Sequence, residues 1–336
     1  MAVSEKKTVL VTGGAGFIGS LLCEQLIKTG SRVICLDNFT TGHVRNIESL
    51  LRSPDFQFLK LDINQPINLE SFVELQPFNI PFVGIQEIYH LAVPTAVKKF
   101  EEFRLQTLLA NSVGTKNVLD LAVKYKAKVV FTSAAVVYGP RRADSSVFTE
   151  TDLGLLDHLN PRACYNEGKR FAETMCQTYA DVQGLDIKIA RIFRTYGPRM
   201  PLFNGHQVPD FILHALDNED IVISGDENSL TSLAYVTDIT DGLIRLMQAE
   251  PGLGPVNLGS DIDIKMSDIA TQIIALAGST SKIVYEPAPP YLVAMGLPNL
   301  TQAKEKLGWL PLVRFADGLA KTIDYIRANK VLLSES

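Results

Sequence analysis

Tyr165 and Lys169 stand four residues apart in Tyr165-Asn-Glu-Gly-Lys169, so a helix would put both on one face. A phenol beside an ammonium group suits proton transfer: the lysine charge favours tyrosinate and makes Tyr165 a usable base near neutral pH. Alone, the spacing is common by chance, and a surface tyrosine lying over a lysine stem explains it as well. Its meaning depends on what stands upstream. There, Val9-Leu-Val-Thr12 runs into Gly13-Gly-Ala-Gly-Phe-Ile-Gly19. Gly13 opens the turn, Gly16 lets the backbone approach a pyrophosphate, and Gly19 lets a helix pack closely on a strand. Phe17 and Ile18 begin that helix, whose first N–H groups would face the phosphates.

The second apolar run ends in Leu36-Asp37-Asn38, about 20 residues beyond the glycines, where a carboxylate accepts hydrogen bonds from adenosine ribose hydroxyls. Asp37 would repel a 2′-phosphate, and no arginine immediately follows it. The expected cofactor is therefore NAD(H) rather than NADP(H). Its oxidised ring would add a second positive charge favouring tyrosinate at Tyr165. Asp62, closing a third apolar run, is a weaker candidate for the adenine edge. Asn38, Ile63 and Leu91 are expected on the same cofactor wall.

The elements that must position these residues are legible as alternating short apolar runs and helical periodicities. Strands are expected at Thr8–Val11, Arg32–Leu36, Phe56–Leu61, Glu87–His90, Lys128–Thr132 and Ile187–Arg191. Helices are expected at Phe17–Lys28, Arg104–Tyr125 and Pro161–Asp181. This alternation implies an α/β fold with a doubly wound parallel Rossmann sheet. After residue 195, prolines break the rhythm. Helical patterns at Thr237–Gln248, Ser267–Ala277 and Ala316–Ala328, with short strands at Ile221–Ser224 and Ile283–Tyr285, suggest a smaller mixed α/β substrate subdomain. The expected division is interleaved: 1–194 plus about 231–257 for the cofactor, 195–230 plus about 258–330 for the substrate.

Composition narrows the function further. A net charge of −5 without a basic stripe argues against nucleic acid. No apolar run approaches the roughly 18 residues that span a bilayer. The N-terminus leads straight into a strand without signal-peptide character, so a cytoplasmic location is the default. Cys23, Cys35, Cys164 and Cys176 lack metal-like spacing and read as reduced packing residues. No metal is expected.

Taken together, these stretches resemble an extended short-chain dehydrogenase/reductase of the NAD-dependent epimerase/dehydratase family, most similar to the UDP-glucuronate decarboxylases. The likeness runs from Val9 to about Tyr325 through the glycine turn, Ile34-Cys-Leu-Asp-Asn-Phe39, Ile88-Tyr-His-Leu-Ala92, Pro161-Arg-Ala-Cys-Tyr-Asn-Glu-Gly-Lys-Arg170, Ala190-Arg-Ile-Phe193, Thr195-Tyr-Gly-Pro-Arg-Met200 and Gly254-Pro-Val-Asn-Leu-Gly259. The resemblance implies that NAD removes a hydride from a sugar carbon and returns it after inversion, elimination or decarboxylation. It implies that Tyr165 takes the hydroxyl proton and Lys169 holds the nicotinamide ribose. His90, Ala92, Asn111 and Ser133 would line the cofactor trough, His90 without a catalytic part. Thr95 and Arg162 would face the substrate. A homodimer through a four-helix bundle of the Arg104–Tyr125 and Pro161–Asp181 helices is also implied.

The departures from the family pattern gather at the substrate. In Thr132-Ser-Ala-Ala-Val-Val-Tyr-Gly139, Ala134 holds the place of a hydroxyl that bonds the reacting oxygen, and Val136 that of a glutamate in the decarboxylases. Losing one positioned donor costs roughly 10²–10³ in rate. Ser133 would stand in only if the loop were shifted. Two diphosphate arginines are missing from Gly225–Ser232 and Met295–Asn299, a loss of roughly 3–6 kcal/mol of charge-assisted bonding. Arg194 replaces an asparagine, and a guanidinium there suits a carboxylate or phosphate; Arg141 and Arg142 are further candidates near the cleft, though solvated loop positions suit them better. Three readings stay open: an enzyme of sugar nucleotides, a relative acting on a smaller anionic polyol or hydroxy acid, or a weak NAD(H)-binding sensor.

Overall fold

The computed structural model describes residues 6–95, 101–141, 146–202, 204–288 and 294–334. Seven strands, β1 (Thr8–Thr12), β2 (Arg32–Asp37), β3 (Phe56–Lys60), β4 (Glu87–His90), β5 (Lys128–Ala134), β6 (Ile187–Ile192) and β7 (Val256–Leu258), form one sheet. Their order is β7-β6-β5-β4-β1-β2-β3, with every neighbouring pair parallel. The chain runs outward from β1 to β3, then returns to β4 on the other side of β1. That reversal opens a crevice at the carboxyl ends of β1 and β4, where open α/β sheets bind ligands.

The main helices are α1 (Phe17–Lys28), α2 (Arg104–Leu109), α3 (Thr115–Tyr125), α4 (Ala163–Gln183), α5 (Gln207–Asp217), α6 (Val236–Gln248), α7 (Met266–Ala277) and α8 (Phe315–Ser334). Leu22 and Leu26 of α1, with Leu243 and Leu246 of α6, bury one sheet face through Val9, Val11 and Val33. Val118, Leu119 and Leu121 of α3, with Ala172 and Cys176 of α4, bury the other through Leu10, Ile34, Ile88 and Val129. Covering on both faces explains why β1 is a continuous apolar run rather than an alternating one.

Three features differ from the sequence reading. The expected helix Arg104–Tyr125 is interrupted by a π turn at Ala110–Gly114. There Thr115 Oγ1 donates to the Ala110 carbonyl, five residues back, and Gly114 passes so close to Ile63 that a Cβ would lie 2.6 Å from its Cδ1. Strand β7 hides in three residues of Gly254–Gly259. Helix α5 was masked by Pro209, which stands in its first turn, where a missing N–H costs little. Helix α5 packs with α7 and α8 in a second core of Phe211, Ile212, Ile269, Ile273, Leu319 and Ile323. The strands at Ile221–Ser224 and Ile283–Glu286 pair in parallel there, while Leu230–Thr231 and Ile264–Lys265 pair antiparallel.

Candidate active site

One cavity of about 950 Å³ runs from the glycine turn to the second core. One end begins at Gly13, whose φ of 72° and contact with Ala92 leave no space for a side chain: a Cβ would lie 2.9 Å from the Ala92 nitrogen. A Cβ on Gly19 would collide with the Gly13 carbonyl oxygen. Helix α1 starts at Gly16 without a side-chain cap, and Gly13, Gly16, Phe17, Ile18 and Gly19 all reach the cavity wall. Its first N–H groups therefore face space suited to a phosphate. Gly14 turns the other way, onto the buried thiols of Cys23 and Cys35.

Asp37 closes β2 and reaches the same wall. Its Oδ2 accepts from the Ala15 N–H at 3.0 Å and its Oδ1 from the Phe39 N–H at 2.8 Å. Burial pushes its carboxyl up, and those N–H groups pull it back part of the way. Asn38, Asp62, Ile63, Leu91 and Ala92 line the cavity as expected. So do Thr40, Thr41 and Gly42, which the sequence reading passed over although they directly follow the Asp37 strand.

Two expected wall residues lie behind it. His90 is 2% exposed, with Nδ1 2.7 Å from Thr12 Oγ1 and Nε2 3.1 Å from Thr115 Oγ1. Burial, aided by the Lys169 charge, brings it down to about 3, so it is a neutral link between strand and helix. Asn111 donates to the Thr107 carbonyl at 2.9 Å and packs against Gly168 of α4. The π turn directs it there rather than into the cavity.

At the centre, Ser133 and Ala134, which end β5, and Val136 just beyond it share the cavity wall with Tyr165 and Lys169 of α4. Ser133 Oγ is buried and has no hydrogen-bond partner among the described residues. Lys169 Nζ donates to the Thr132 carbonyl at 2.7 Å and lies 4.8 Å from the Phe131 ring centre and 5.9 Å from that of Tyr165. Burial brings Lys169 down to about 7. Burial lifts the Tyr165 phenol to about 12, against a smaller downward pull from Arg162. Helix α4 is fixed to β6 by Arg191, which holds both Glu173 carboxylate oxygens, at 3.0 and 2.8 Å, and also donates to Tyr138 Oη at 2.9 Å.

The rest of the cavity wall carries Thr95, Arg162 and Arg194, the residues expected at a substrate, with His206, Thr231, Ser232 and Met295. Arg194 Nη1 donates to Thr231 Oγ1 at 3.0 Å. His206 was not anticipated: a single histidine between a glycine and a helix carries no motif. Arg141 does not line the cavity; its guanidinium grips Asp263 at 2.9 and 2.7 Å and its N–H donates to the Ala294 carbonyl. Arg142 lies outside the described residues. Gly296 has Phe148 against it, 2.6 Å from any Cβ, so this backbone admits no arginine there. Among the described residues no cluster of His, Cys, Asp and Glu could hold a metal, and no helix is long and apolar enough to cross a membrane.

The cradle fits a dinucleotide. Glycines that a Cβ would obstruct, an uncapped helix start, a carboxylate at the end of β2 and the orphaned Ser133 hydroxyl lie along one trough. Residues 9–259 match the family model described as the NAD dependent epimerase/dehydratase family. The chain is 35% identical over 329 residues to UDP-glucuronic acid decarboxylase 1 of Xenopus tropicalis, covering 97% of this chain and 74% of that one. It is equally 35% identical over 312 residues to UDP-glucuronic acid decarboxylase 6 of Arabidopsis thaliana, covering 93% and 86%. Among solved structures, a UDP-glucose 4-epimerase of Thermotoga maritima with UDP-glucose superposes with a TM-score of 0.83 at 26% identity, covering 96% of this chain and 99% of that one. A UDP-glucuronic acid 4-epimerase of Bacillus cereus with NAD gives 0.79 at 26% identity, with the same coverage.

Proposed function

The chain belongs to the NAD-dependent epimerase/dehydratase family of enzymes, and from that premise we propose that it oxidises a hydroxyl-bearing carbon of a sugar nucleotide transiently. The net result would be decarboxylation, 4-epimerisation or dehydration. The observation that carries this reading is the convergence of Tyr165, Lys169 and Ser133 on one cavity with the glycine turn and Asp37. NAD, when bound, supplies a ring that takes up and gives back a hydride. Gly13, Gly16 and Gly19 would admit its pyrophosphate, and Asp37 would accept from its adenosine ribose. Lys169 would hold the second ribose while staying anchored to Thr132.

Tyr165 holds its proton firmly in the protein alone, because burial disfavours the phenolate. Positive charge arriving beside it would bring the phenol within range of a base, and the substrate hydroxyl proton would then pass to Tyr165 Oη. Ser133 supplies a hydroxyl with bonding capacity to spare, where Ala134 supplies none. A purified protein given NAD and UDP-glucuronate is expected to show NADH absorbance or product. Tyr165→Phe is expected to lower the rate by about 10²–10⁴ while NAD still binds. Equal turnover in both proteins would reject the role of Tyr165.

A second reading is favoured by particular residues. Ser232 and Gly296 lie in the two stretches where the family resemblance leads one to expect diphosphate arginines, and Ala134, Val136 and Arg194 depart from the expected pattern at the reacting end. These suit a smaller anionic polyol or hydroxy acid. Calorimetry with UDP separates the two, since tight binding sinks the second. A homodimer is also proposed, through α2, α3 and α4, where Leu105, Leu108, Leu109, Val123 and Phe171 stand exposed, as does Val113 of the π turn.

A further inference from the structure

Behind the cavity wall a line of hydrogen bonds runs from the end of β4 to the π turn, and the direction of each can be assigned. Thr115 Oγ1 spends its one hydrogen on the Ala110 carbonyl at 3.0 Å. His90 Nε2 lies 3.1 Å from that oxygen and must therefore donate to it. The ring is neutral, because burial brings it down to about 3, so Nδ1 carries no hydrogen. Nδ1 accepts instead from Thr12 Oγ1 at 2.7 Å, and Thr12 Oγ1 accepts from the Ala92 N–H at 3.3 Å. Every donor in the line points the same way, from Ala92 toward Ala110.

The two ends of this line differ from its middle. Ala92 and Ala110 line the cavity, whereas Thr12, His90 and Thr115 do not and are fully or almost fully buried. Ala92 is also the residue against which Gly13 closes at the glycine turn. His90 is used a second time through its carbonyl, which accepts from Thr132 Oγ1 at 3.0 Å, while the Thr132 carbonyl holds Lys169. The glycine turn, the π turn and the anchor of Lys169 thus meet at one residue. A neutral imidazole suits that place, since it accepts on one side of its ring and donates on the other. We infer that His90 is a positioning residue for the cofactor: as the Nε2–H imidazole it ties Ala92 to Ala110 from behind the wall and holds the trough at the width a dinucleotide needs. It touches neither cofactor nor substrate. This inference rests on the reading that the trough takes NAD.

The test is calorimetry with NAD on the wild type, Thr115→Val, Thr115→Ser, His90→Phe and the double variant His90→Phe/Thr115→Val, together with NMR of the imidazole nitrogens. Thr115→Val keeps the shape of the side chain and removes only the hydroxyl, and thermal unfolding certifies that each variant is folded. Thr115→Val is expected to weaken NAD about three- to tenfold and Thr115→Ser to restore most of the loss. The double variant is expected to bind no more weakly than His90→Phe alone, because the line acts as a unit. Should His90→Phe not fold, the two Thr115 variants decide the matter. The His90 ring is expected as the Nε2–H tautomer, without titration between about pH 5 and pH 8. Wild-type NAD affinity in Thr115→Val, equal losses in Thr115→Val and Thr115→Ser, or an Nδ1–H tautomer would each overturn the part given to His90. A wild type that binds no NAD would overturn the cofactor reading itself, and the positioning role with it.

Discussion

Lys169 is an amine held in a largely buried place on the cavity wall. The residue is 2% exposed, its ammonium is anchored on the Thr132 carbonyl, and burial brings it down from the usual 10.5 to about 7. The folded-state value lies below the unfolded one, so between them the unfolded chain binds more protons and stability rises with pH. Lys169→Met removes this dependence. The stability difference between native and variant chains should therefore shift in favour of the native chain by on the order of 2 kcal/mol from about pH 7 to pH 9. Urea unfolding at both pH values checks this, and a flat difference would count against it. The same residue shows what spacing conceals. The Tyr165–Lys169 interval is readable as a pair on one helix face, but not that the ammonium turns toward Thr132 while burial raises the phenol. Asp37 is similar: its place after β2 is legible, its two bonds to backbone N–H groups are not, because they depend on how the turn folds back.

Elements were legible where one periodicity ran long enough to be seen. Strands β1 to β6 are apolar because helices cover both sheet faces, and that pattern survives in the sequence alone. Three residues of β7 are too few to carry a period, and the π turn has no composition of its own; it follows from the passage of Gly114 against Ile63. The junction of β1 with α1 is the most demanding local geometry. A methyl group on Gly19 would meet the Gly13 carbonyl, so the turn must open to admit it. Gly19→Ala is expected to destabilise the chain by about 1–3 kcal/mol and to weaken NAD binding at least tenfold. Thermal unfolding and calorimetry measure the two effects, and unchanged NAD affinity would show that the turn tolerates the methyl.

For the whole molecule, exposed side chains on α2, α3 and α4 indicate how copies would meet. Leu105 is 68% and Phe171 53% exposed, on helices that pack together over one sheet face. Phe171→Glu is expected to convert a dimer to a monomer in light scattering at micromolar concentration, because a charge buried without a partner opposes association. A monomeric wild type would overturn the proposed assembly. Contacts within one chain are of a different kind. Arg141 holds Asp263 with both guanidinium arms, its N–H bonds the Ala294 carbonyl, and the strands Val147–Phe148 and Leu297–Pro298 run side by side. Such stitching fixes one flank of the cleft, so any opening would have to pivot about it.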